Sequence, residues 1–269
     1  MKLTVLVDNN TYIDQYYLGE PAASYYIEEG DARILFDCGY SDAFMKNAES
    51  MGIDLSKLTH IVFSHGHDDH TGGLKYLKEK YDLSNVQIIA HPKAFFPKRD
   101  GDLPCGSPFT AEEIASFSKL NLSDFPVEVT DKLLFTGETH PNFDFESVGP
   151  LGERFVDGKW EADDCQDDAA LVYEGKDGLF FITGCSHSGI CNIMIQAFST
   201  FETKDVTGVL GGLHLFDVDE RLEKTIHFMD NYEVKDFYPC HCVSLQAKAK
   251  MMEVLNVHEV GVGLTIEVE

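Results

Sequence analysis

Four side chains that can bind a metal ion lie close together in one short stretch: His65, His67, Asp69 and His70. Imidazole nitrogens and carboxylate oxygens bind zinc, manganese or iron, and such sites can leave a coordination position open. In an extended chain, residues two apart point to the same side, so His65 and His67 can share one ion. Asp69 and His70 follow where the chain turns, and they can reach a second ion beside the first. The spacing predicts a site for two divalent ions, in which Asp69 is also a candidate catalytic residue.

A predicted strand, His60–Phe63, delivers this stretch, because its apolar, β-branched residues come directly before the first ligand. A helix is predicted to start at the glycine pair Gly72-Gly73, since Leu74, Leu77 and Tyr81 are spaced along one helical face. Two ions need about three more ligands, and those must come from the second half of the chain.

The second half offers three candidate ligands at predicted strand ends. His241 follows the short strand Asp236–Tyr238, and Cys185 follows the strand Leu179–Thr183. A thiolate at Cys185 can bind either ion, although an oxidisable thiol or a buried small side chain is an open alternative. His187 lies two residues beyond Cys185 and shares its face if the strand continues.

Two further features point to the same cleft. His214 follows the predicted strand Val206–Leu210, and a catalytic, substrate-binding or supporting role is favoured over ligation; the alternative is a core histidine. Ser188-Gly189 begins a predicted helix whose backbone N–H groups could hold an anion such as phosphate.

Hydrophobic periodicity predicts a mixed chain of strands and helices, α/β or α+β. A long loop is predicted at Lys93–Pro108, and Thr139–Asp168 is either a lid or a disordered excursion. Helices are predicted at 44–51, 74–81, Ile190–Phe201, Glu220–Met229 and Leu245–Leu255. The other predicted strands are Leu3–Val7, Ser24–Glu28, Arg33–Phe36, Val86–Ala90, Val127–Thr130, Lys132–Phe135, Ala169–Tyr173 and Leu264–Val268.

Composition limits the classes of function. The 269 residues are 43% hydrophobic, enough for a full core, and carry a net charge of −25, which disfavours nucleic-acid binding because such binding depends on Lys and Arg. No signal peptide is expected from Met1–Asp8, and no apolar run is long enough for a membrane span. Seven dispersed cysteines favour a reducing cytoplasm. The expected partner is a small-molecule substrate, and a homodimer is left open.

The run His65-Gly66-His67-Asp68-Asp69-His70 resembles the His-x-His-x-Asp-His signature of the metallo-β-lactamase fold superfamily. Upstream, Leu35-Phe36-Asp37-Cys38-Gly39 resembles a Leu-Phe-Asp-x-Gly strand end of that superfamily. The runs Phe180–Gly189 and Tyr238-Pro239-Cys240-His241-Cys242 resemble its later ligand-bearing strands. Gly184-Cys185-Ser186-His187-Ser188-Gly189 and Gly211-Gly212-Leu213-His214-Leu215 look like its dihydropteroate-synthase-like branch, named for an archaeal enzyme that joins a dihydropterin to a ribofuranosyl-aminobenzene phosphate.

This resemblance implies a four-layer αββα sandwich, with residues 1–269 as one domain of two related halves and the metal site at the edge between them. It places His241 as the last histidine ligand and Cys185 where many members have a bridging aspartate. Most members have another histidine near Gln166-Asp167-Asp168, where this chain has none. Either Asp168 replaces it or His187 reaches the ion, and the strand parity of Cys185 and His187 favours His187.

The expected function is a metal-dependent hydrolase. A metal-bound water loses its proton near neutral pH and can attack an ester, lactone or phosphoester of a small molecule. Zinc is the expected metal, with manganese or iron as alternatives. A pterin–arylamine transferase that displaces diphosphate is the first alternative function, followed by a di-iron redox enzyme and a non-catalytic metal sensor.

Overall fold

Alternating short strands and helices form the chain, and the structure, a computed structural model, describes all 269 residues. The first nine strands are β1 (Lys2–Val7), β2 (Ser24–Glu29), β3 (Ala32–Phe36), β4 (His60–Val62), β5 (Gln87–Ala90), β6 (Lys98–Asp100), β7 (Leu103–Pro104), β8 (Lys119–Leu122) and β9 (Val127–Thr130). The remaining strands are β10 (Leu133–Phe135), β11 (Glu153–Val156), β12 (Lys159–Ala162), β13 (Ala170–Gly175), β14 (Gly178–Thr183), β15 (Val206–Gly211), β16 (Asp236–Pro239) and β17 (Thr265–Glu267). The helices are α1 (Ala43–Ser50), α2 (Asp68–Thr71), α3 (Leu74–Lys80), α4 (Ala111–Ala115), α5 (Ile190–Ala197), α6 (Glu220–Asn231) and α7 (Leu245–Met251). No helix is long and apolar enough to cross a membrane.

Two large sheets contain most of the strands. The first has seven strands in the order β17-β1-β2-β3-β4-β5-β8, and the second has six in the order β16-β15-β14-β13-β10-β9. Strands β3, β4, β5 and β8 are parallel to one another, and so are β14, β15 and β16. Parallel strands end at the same edge of a sheet, so the segments that follow them lie close together.

Three apolar layers separate four structural layers. Residues such as Tyr25, Phe36 and Ile182 are fully buried and form one cluster with members from both sheets. A second cluster contains Phe44 of α1 with residues of the first sheet, and a third contains Met229 of α6 with residues of the second. Strands that are apolar on both faces are therefore covered by a sheet on one side and helices on the other. The predicted four-layer αββα sandwich is confirmed.

A smaller third sheet corrects two of the predictions. Lys93–Pro108 is not only a loop, because it contains β6 and β7, and Thr139–Asp168 is not disordered, because it contains β11 and β12. These four strands pair in the order β12-β11-β6-β7, and we call them the arm. Arg99 of β6 joins the two segments, since it forms an ion pair of 2.7 Å with Glu153 of β11 and lies over the Trp160 ring of β12 at 4.1 Å.

Candidate metal centre

The segment after β4 places the first group of predicted ligands. His65 is fully buried, and its Nε2 atom lies 3.0 Å from Nδ1 of His67. Asp69 and His70 belong to the short helix α2, for which His67 is the N-terminal flanking residue. The segment passes so close to a neighbouring loop that a Cβ atom at Gly66 would lie 1.9 Å from the Ala94 carbonyl oxygen. Only glycine fits at this position.

The second half of the chain brings its candidates to the same place. The Cys185 sulfur, after β14, lies 3.2 Å from His70 Nε2. The His241 Nε2 atom, after β16, lies 3.2 Å from an Asp69 carboxylate oxygen. The His187 ring lies 4.8 Å, centroid to centroid, from the His65 ring.

Potential ligand atoms fall into overlapping groups, in each of which all atoms lie within 4.8 Å of one another. One group consists of Asp69, His70, Cys185 and His241; the others around the same centre are His65, Cys185, His187 and His65, His67, Asp69. Because Asp69 and Cys185 belong to more than one group, the arrangement can accommodate two neighbouring ions. All seven predicted ligands are therefore brought together.

Asp168 does not join these groups. One of its carboxylate oxygens accepts a hydrogen bond of 2.9 Å from the Ser188 backbone N–H, and the other is buried without a partner. Of the two residues that could replace the missing histidine, the structure brings His187 to the centre. The Ser188 amide is thereby occupied by a carboxylate, and the Cys191 amide in the first turn of α5 donates to Glu146. The start of α5 is consequently a poor site for a phosphate, contrary to the sequence-based interpretation.

The residues of the centre fit a zinc-type ion. Both ring nitrogens of His187 are buried and have no hydrogen-bond partner, a costly arrangement for polar atoms unless a ligand completes it. The donor set combines imidazoles, a carboxylate and a thiol, all of which bind zinc. No lysine or arginine lines the cavity at the centre to repel a cation.

Burial and neighbouring charges shift the pKa values of the histidines in opposite directions. Burial and the adjacent imidazoles hold the pKa of His65 and of His187 well below the usual range, so both rings are neutral and each keeps one unprotonated nitrogen that can bind a metal. Burial alone would also lower the pKa of His70, but the carboxylates of Asp69 and Asp37 outweigh it and raise the pKa to about 9. Burial would raise the pKa of Asp69, yet His70 and His241 keep it below its ordinary value.

A layer of acceptors that sequence reasoning missed orients the ligands. Asp37, directly after β3, accepts hydrogen bonds from His70 Nδ1 at 2.7 Å and from the Ser64 hydroxyl at 2.7 Å. Asp8, directly after β1, accepts from the His241 backbone N–H at 2.8 Å. Both follow strands that end at the same edge as the candidate ligands. Their position directly after a strand could have identified them from the sequence, and Asp37 also lies in the Leu35–Gly39 motif that resembles the superfamily.

Asn9 and Asp167 complete this supporting layer. The Asn9 side-chain oxygen lies 3.0 Å from His241 Nδ1. Asp167 accepts from the Gly66 backbone N–H at 2.8 Å and from Lys98 Nζ at 3.0 Å, and Lys98 also contacts Asp163 at 2.5 Å. This buried cation with two carboxylates connects the start of the arm to the ligand segment.

Four non-glycine residues at the centre have left-handed backbones: Asp37, Ser186, His214 and His241, with φ of 59°, 55°, 50° and 51°. Such conformations are costly for residues with a Cβ atom and tend to persist at functional sites. Each of the four immediately follows or lies close to the end of a strand.

His214 lies next to the predicted ligands but outside their groups. Its ring centroid is 4.6 Å from that of His187, and its Nδ1 atom is buried without a partner. Its backbone is held by the Cys242 sulfur, which accepts from the His214 N–H at 3.2 Å, and by Arg221, which donates to its carbonyl at 2.9 Å.

A cavity of about 750 Å³ opens onto the centre. Asp69, His67, His187, His214 and His241 line it on the side of the centre. Apolar and loop residues complete the wall: Pro21, Tyr40, Pro150, Leu151 and Phe216. The cavity is large enough for a drug-sized organic molecule.

Comparison with known proteins gives consistent similarities. The sequence profile of the metallo-beta-lactamase superfamily matches residues 18–191. An uncharacterized protein of Methanocaldococcus jannaschii is 32% identical over 263 residues, which are 94% of this chain and 95% of that protein. The 7,8-dihydropterin-6-methyl-4-(beta-D-ribofuranosyl)-aminobenzene-5'-phosphate synthase of the same organism is 28% identical over 232 residues, or 82% of this chain and 79% of that enzyme.

A solved structure is similar throughout. The crystal structure of a metal-dependent hydrolase of the beta-lactamase superfamily matches with a TM-score of 0.85 and 28% identity, covering 100% of this chain and 99% of that chain. Together these matches confirm the resemblance to the superfamily and to its dihydropteroate-synthase-like branch.

Proposed function

Because the chain belongs to the metallo-β-lactamase superfamily, we propose that it is a metal-dependent hydrolase of small molecules with an ester, lactone or phosphoester bond. The observation that supports this most strongly is the convergence of Asp69, His70, Cys185 and His241, whose ligand atoms come from both halves of the chain and lie within 4.8 Å of one another. Similarity to a metal-dependent hydrolase over the whole chain supports the same reaction class.

We propose that His65, His67 and His187 would hold one zinc ion and Asp69, His70 and His241 a second, with Cys185, which belongs to a ligand group on either side, as a further ligand. Divalent ions bound there would polarise the substrate and activate water near neutral pH. Asp69, whose pKa is held low by His70 and His241, stays ionised and can orient the attacking water or accept its proton.

His214 has a separate proposed role. Its ring lines the cavity beside His187, and its buried Nδ1 atom has no protein partner. A substrate oxygen in the cavity can supply that partner. We propose that His214 hydrogen-bonds the leaving group and positions the scissile bond.

The first experiment is elemental analysis of the purified protein, together with turnover of phosphodiester, lactone and thioester substrates with and without a chelator. Two zinc or manganese equivalents with chelator-sensitive turnover are expected. Asp69→Asn should abolish turnover, whereas His227→Gln, an exposed histidine on α6, should leave it unchanged. Two iron equivalents without hydrolysis would favour the redox alternative, and turnover that survives complete metal removal would contradict the proposal.

Replacement of the native metal with cobalt tests the thiol separately. A Cys185 thiolate bound to Co²⁺ gives charge-transfer absorption, so Cys185→Ser should remove that absorption. Cys191→Ser, which changes another buried cysteine outside the centre, should keep it. Unchanged absorption in Cys185→Ser would exclude the thiol from the ligand set.

A transferase is the second candidate function. Similarity to a synthase over 82% of the chain supports it, because that enzyme is named for a product that contains both a dihydropterin and an aminobenzene. Release of diphosphate from a pterin diphosphate, only when an arylamine is present, would favour the transferase. Release that water alone supports would favour the hydrolase.

A further inference from the structure

A second cavity, of about 650 Å³, meets the first at His187 and Pro150, which line both. We call it the side chamber. Its walls come from residues 138–150, from the segment 162–166 that leaves the arm, and from the start of α5. Because His187 is a proposed metal ligand and also lines the side chamber, the chamber adjoins the proposed metal centre.

The charged residues that line the side chamber are all acidic. Glu138, Asp144 and Asp164 line it, and no lysine or arginine does. Glu138 is paired with His91 at 3.2 Å, whereas Asp144 and Asp164 are exposed and have no basic partner. One lysine, Lys93, reaches the wall, where it donates to the side-chain oxygen of Gln166, but it forms no ion pair with the three carboxylates, and the chain as a whole carries a net charge of −25. The chamber therefore repels anions and attracts cations.

Two other side chains of the wall suit an organic cation. Thr139 is only 7% exposed, and its hydroxyl is buried without a hydrogen-bond partner, although the residue lines the chamber. A ligand N–H group would satisfy it. The half-buried ring of Phe143 also lines the chamber, held in place by Phe145 at 5.4 Å and Phe228 at 5.6 Å between ring centroids. An aromatic face attracts cations.

We propose that the side chamber binds a cationic, N–H-donating organic group that belongs to the substrate or to a second substrate. The group enters between the carboxylates and Phe143, donates to Thr139, and ends against His187. A molecule that occupies both cavities thus places its reacting bond at the metal centre. This inference uses the proposed function only in treating His187 as part of that centre.

The test is a binding titration of the metal-loaded, full-length protein with benzamidine, and with benzoate as a probe of similar size and opposite charge. Benzamidine is expected to shift the amide resonances of Thr139 and Ser188, and benzoate to leave them in place. The double variant Asp144→Asn/Asp164→Asn should weaken benzamidine binding about fivefold or more, because two attracting charges are lost.

Two variants complete the design. Thr139→Val keeps the shape of the side chain and should weaken benzamidine binding about threefold through the lost hydrogen bond. Asp100→Asn changes a carboxylate that lines the first cavity, and it should leave the affinity within about twofold. Equal binding of both probes, resonance shifts confined to the first cavity, or weakening by Asp100→Asn alone would overturn the inference. The titration needs no turnover, so a failure of the hydrolase proposal would be seen separately.

Discussion

Asn9 illustrates how a residue outside the proposed ligand set can orient one inside it. Its side-chain oxygen lies 3.0 Å from His241 Nδ1 and can accept a hydrogen bond from it, which turns the other ring nitrogen, Nε2, toward Asp69 and the proposed metal centre. We expect Asn9→Ala to weaken metal binding about 10- to 100-fold, since lost orienting bonds have effects of this size. Metal competition with a chromogenic chelator measures the affinity.

Asn10→Ala is the matched control for this variant. It removes the neighbouring amide side chain, which donates to the Val260 carbonyl at 2.8 Å instead of contacting a ligand. Equal loss of metal affinity in both variants would mean that Asn9 acts only by stabilising the segment.

The proposed ligand His70 should make metal binding depend on pH. Without metal, burial is outweighed by Asp69 and Asp37, and the His70 pKa is raised to about 9. Below pH 9 the ring carries a proton that an incoming ion must displace, so metal affinity should fall as the pH decreases. Calorimetric titration in buffers of different ionisation enthalpy should show this proton released near pH 7 and no longer released above pH 10. Equal release at both pH values would contradict the assignment.

At the scale of elements, Lys98 secures the arm to the ligand segment. Its buried Nζ contacts Asp163 and Asp167, and the two carboxylates outweigh burial and raise its pKa. Lys98→Met leaves Asp167 buried without a cation and Asp163 with only Arg154, at 3.6 Å, so the free energy of unfolding should fall by about 3–5 kcal/mol. Urea unfolding in the presence of a chelator measures this loss apart from any effect on metal binding.

Lys93→Met is the control, because Lys93 is half-buried and only donates to the Gln166 side-chain oxygen. It should cost about 1 kcal/mol. A group whose pKa is raised on folding contributes fully below its unfolded value of about 10.4, so the Lys98→Met deficit should be constant from pH 6 to 9. A deficit no larger than that of Lys93→Met would show that the cluster is solvated.

The elements also show which parts of the structure could be predicted from sequence. His60–Phe63 and its ligands were predictable because an apolar strand runs directly into closely spaced metal-binding side chains. The arm was not, because its strands have two to four residues and β6 pairs with β11, which lies in a distant segment. Strands this short contain too few residues for an alternating apolar pattern to be recognised. The roles of Asp8 and Asn9 were hidden similarly, since their partner His241 is 233 and 232 residues away.

At the scale of the whole molecule, the proposed ions connect the two halves. Three ligand histidines follow β4 of the first sheet, whereas Cys185, His187 and His241 follow strands of the second. Metal removal should therefore lower the unfolding temperature by about 5–10 °C when the free ion is at 100 times its Kd. Differential scanning calorimetry with and without chelator measures the shift. In His241→Ala the shift in unfolding temperature should be much smaller. If chelator leaves the unfolding temperature of the wild-type protein unchanged, the proposal that metal ions connect the two halves is contradicted.

We further propose that residues 1–269 form one domain. The cluster between the sheets takes Tyr25 and Phe36 from the first half and Ile182 and Leu210 from the second, so neither half keeps an intact core alone. The metal-free protein should unfold in a single cooperative transition. Two separate transitions in the calorimetric scan would divide the chain.

The arm lies outside both large sheets, yet Asp100 of β6 lines the cavity. Pro150, Leu151 and Gly152, which come directly before β11, line it as well. Every proposed metal ligand, by contrast, follows a strand of the large sheets. The proposed metal centre and this part of the cavity wall thus come from separate pieces of chain. Substitutions or insertions in the arm would therefore reshape the entrance of the cavity without moving any of the strand ends that carry the proposed metal ligands.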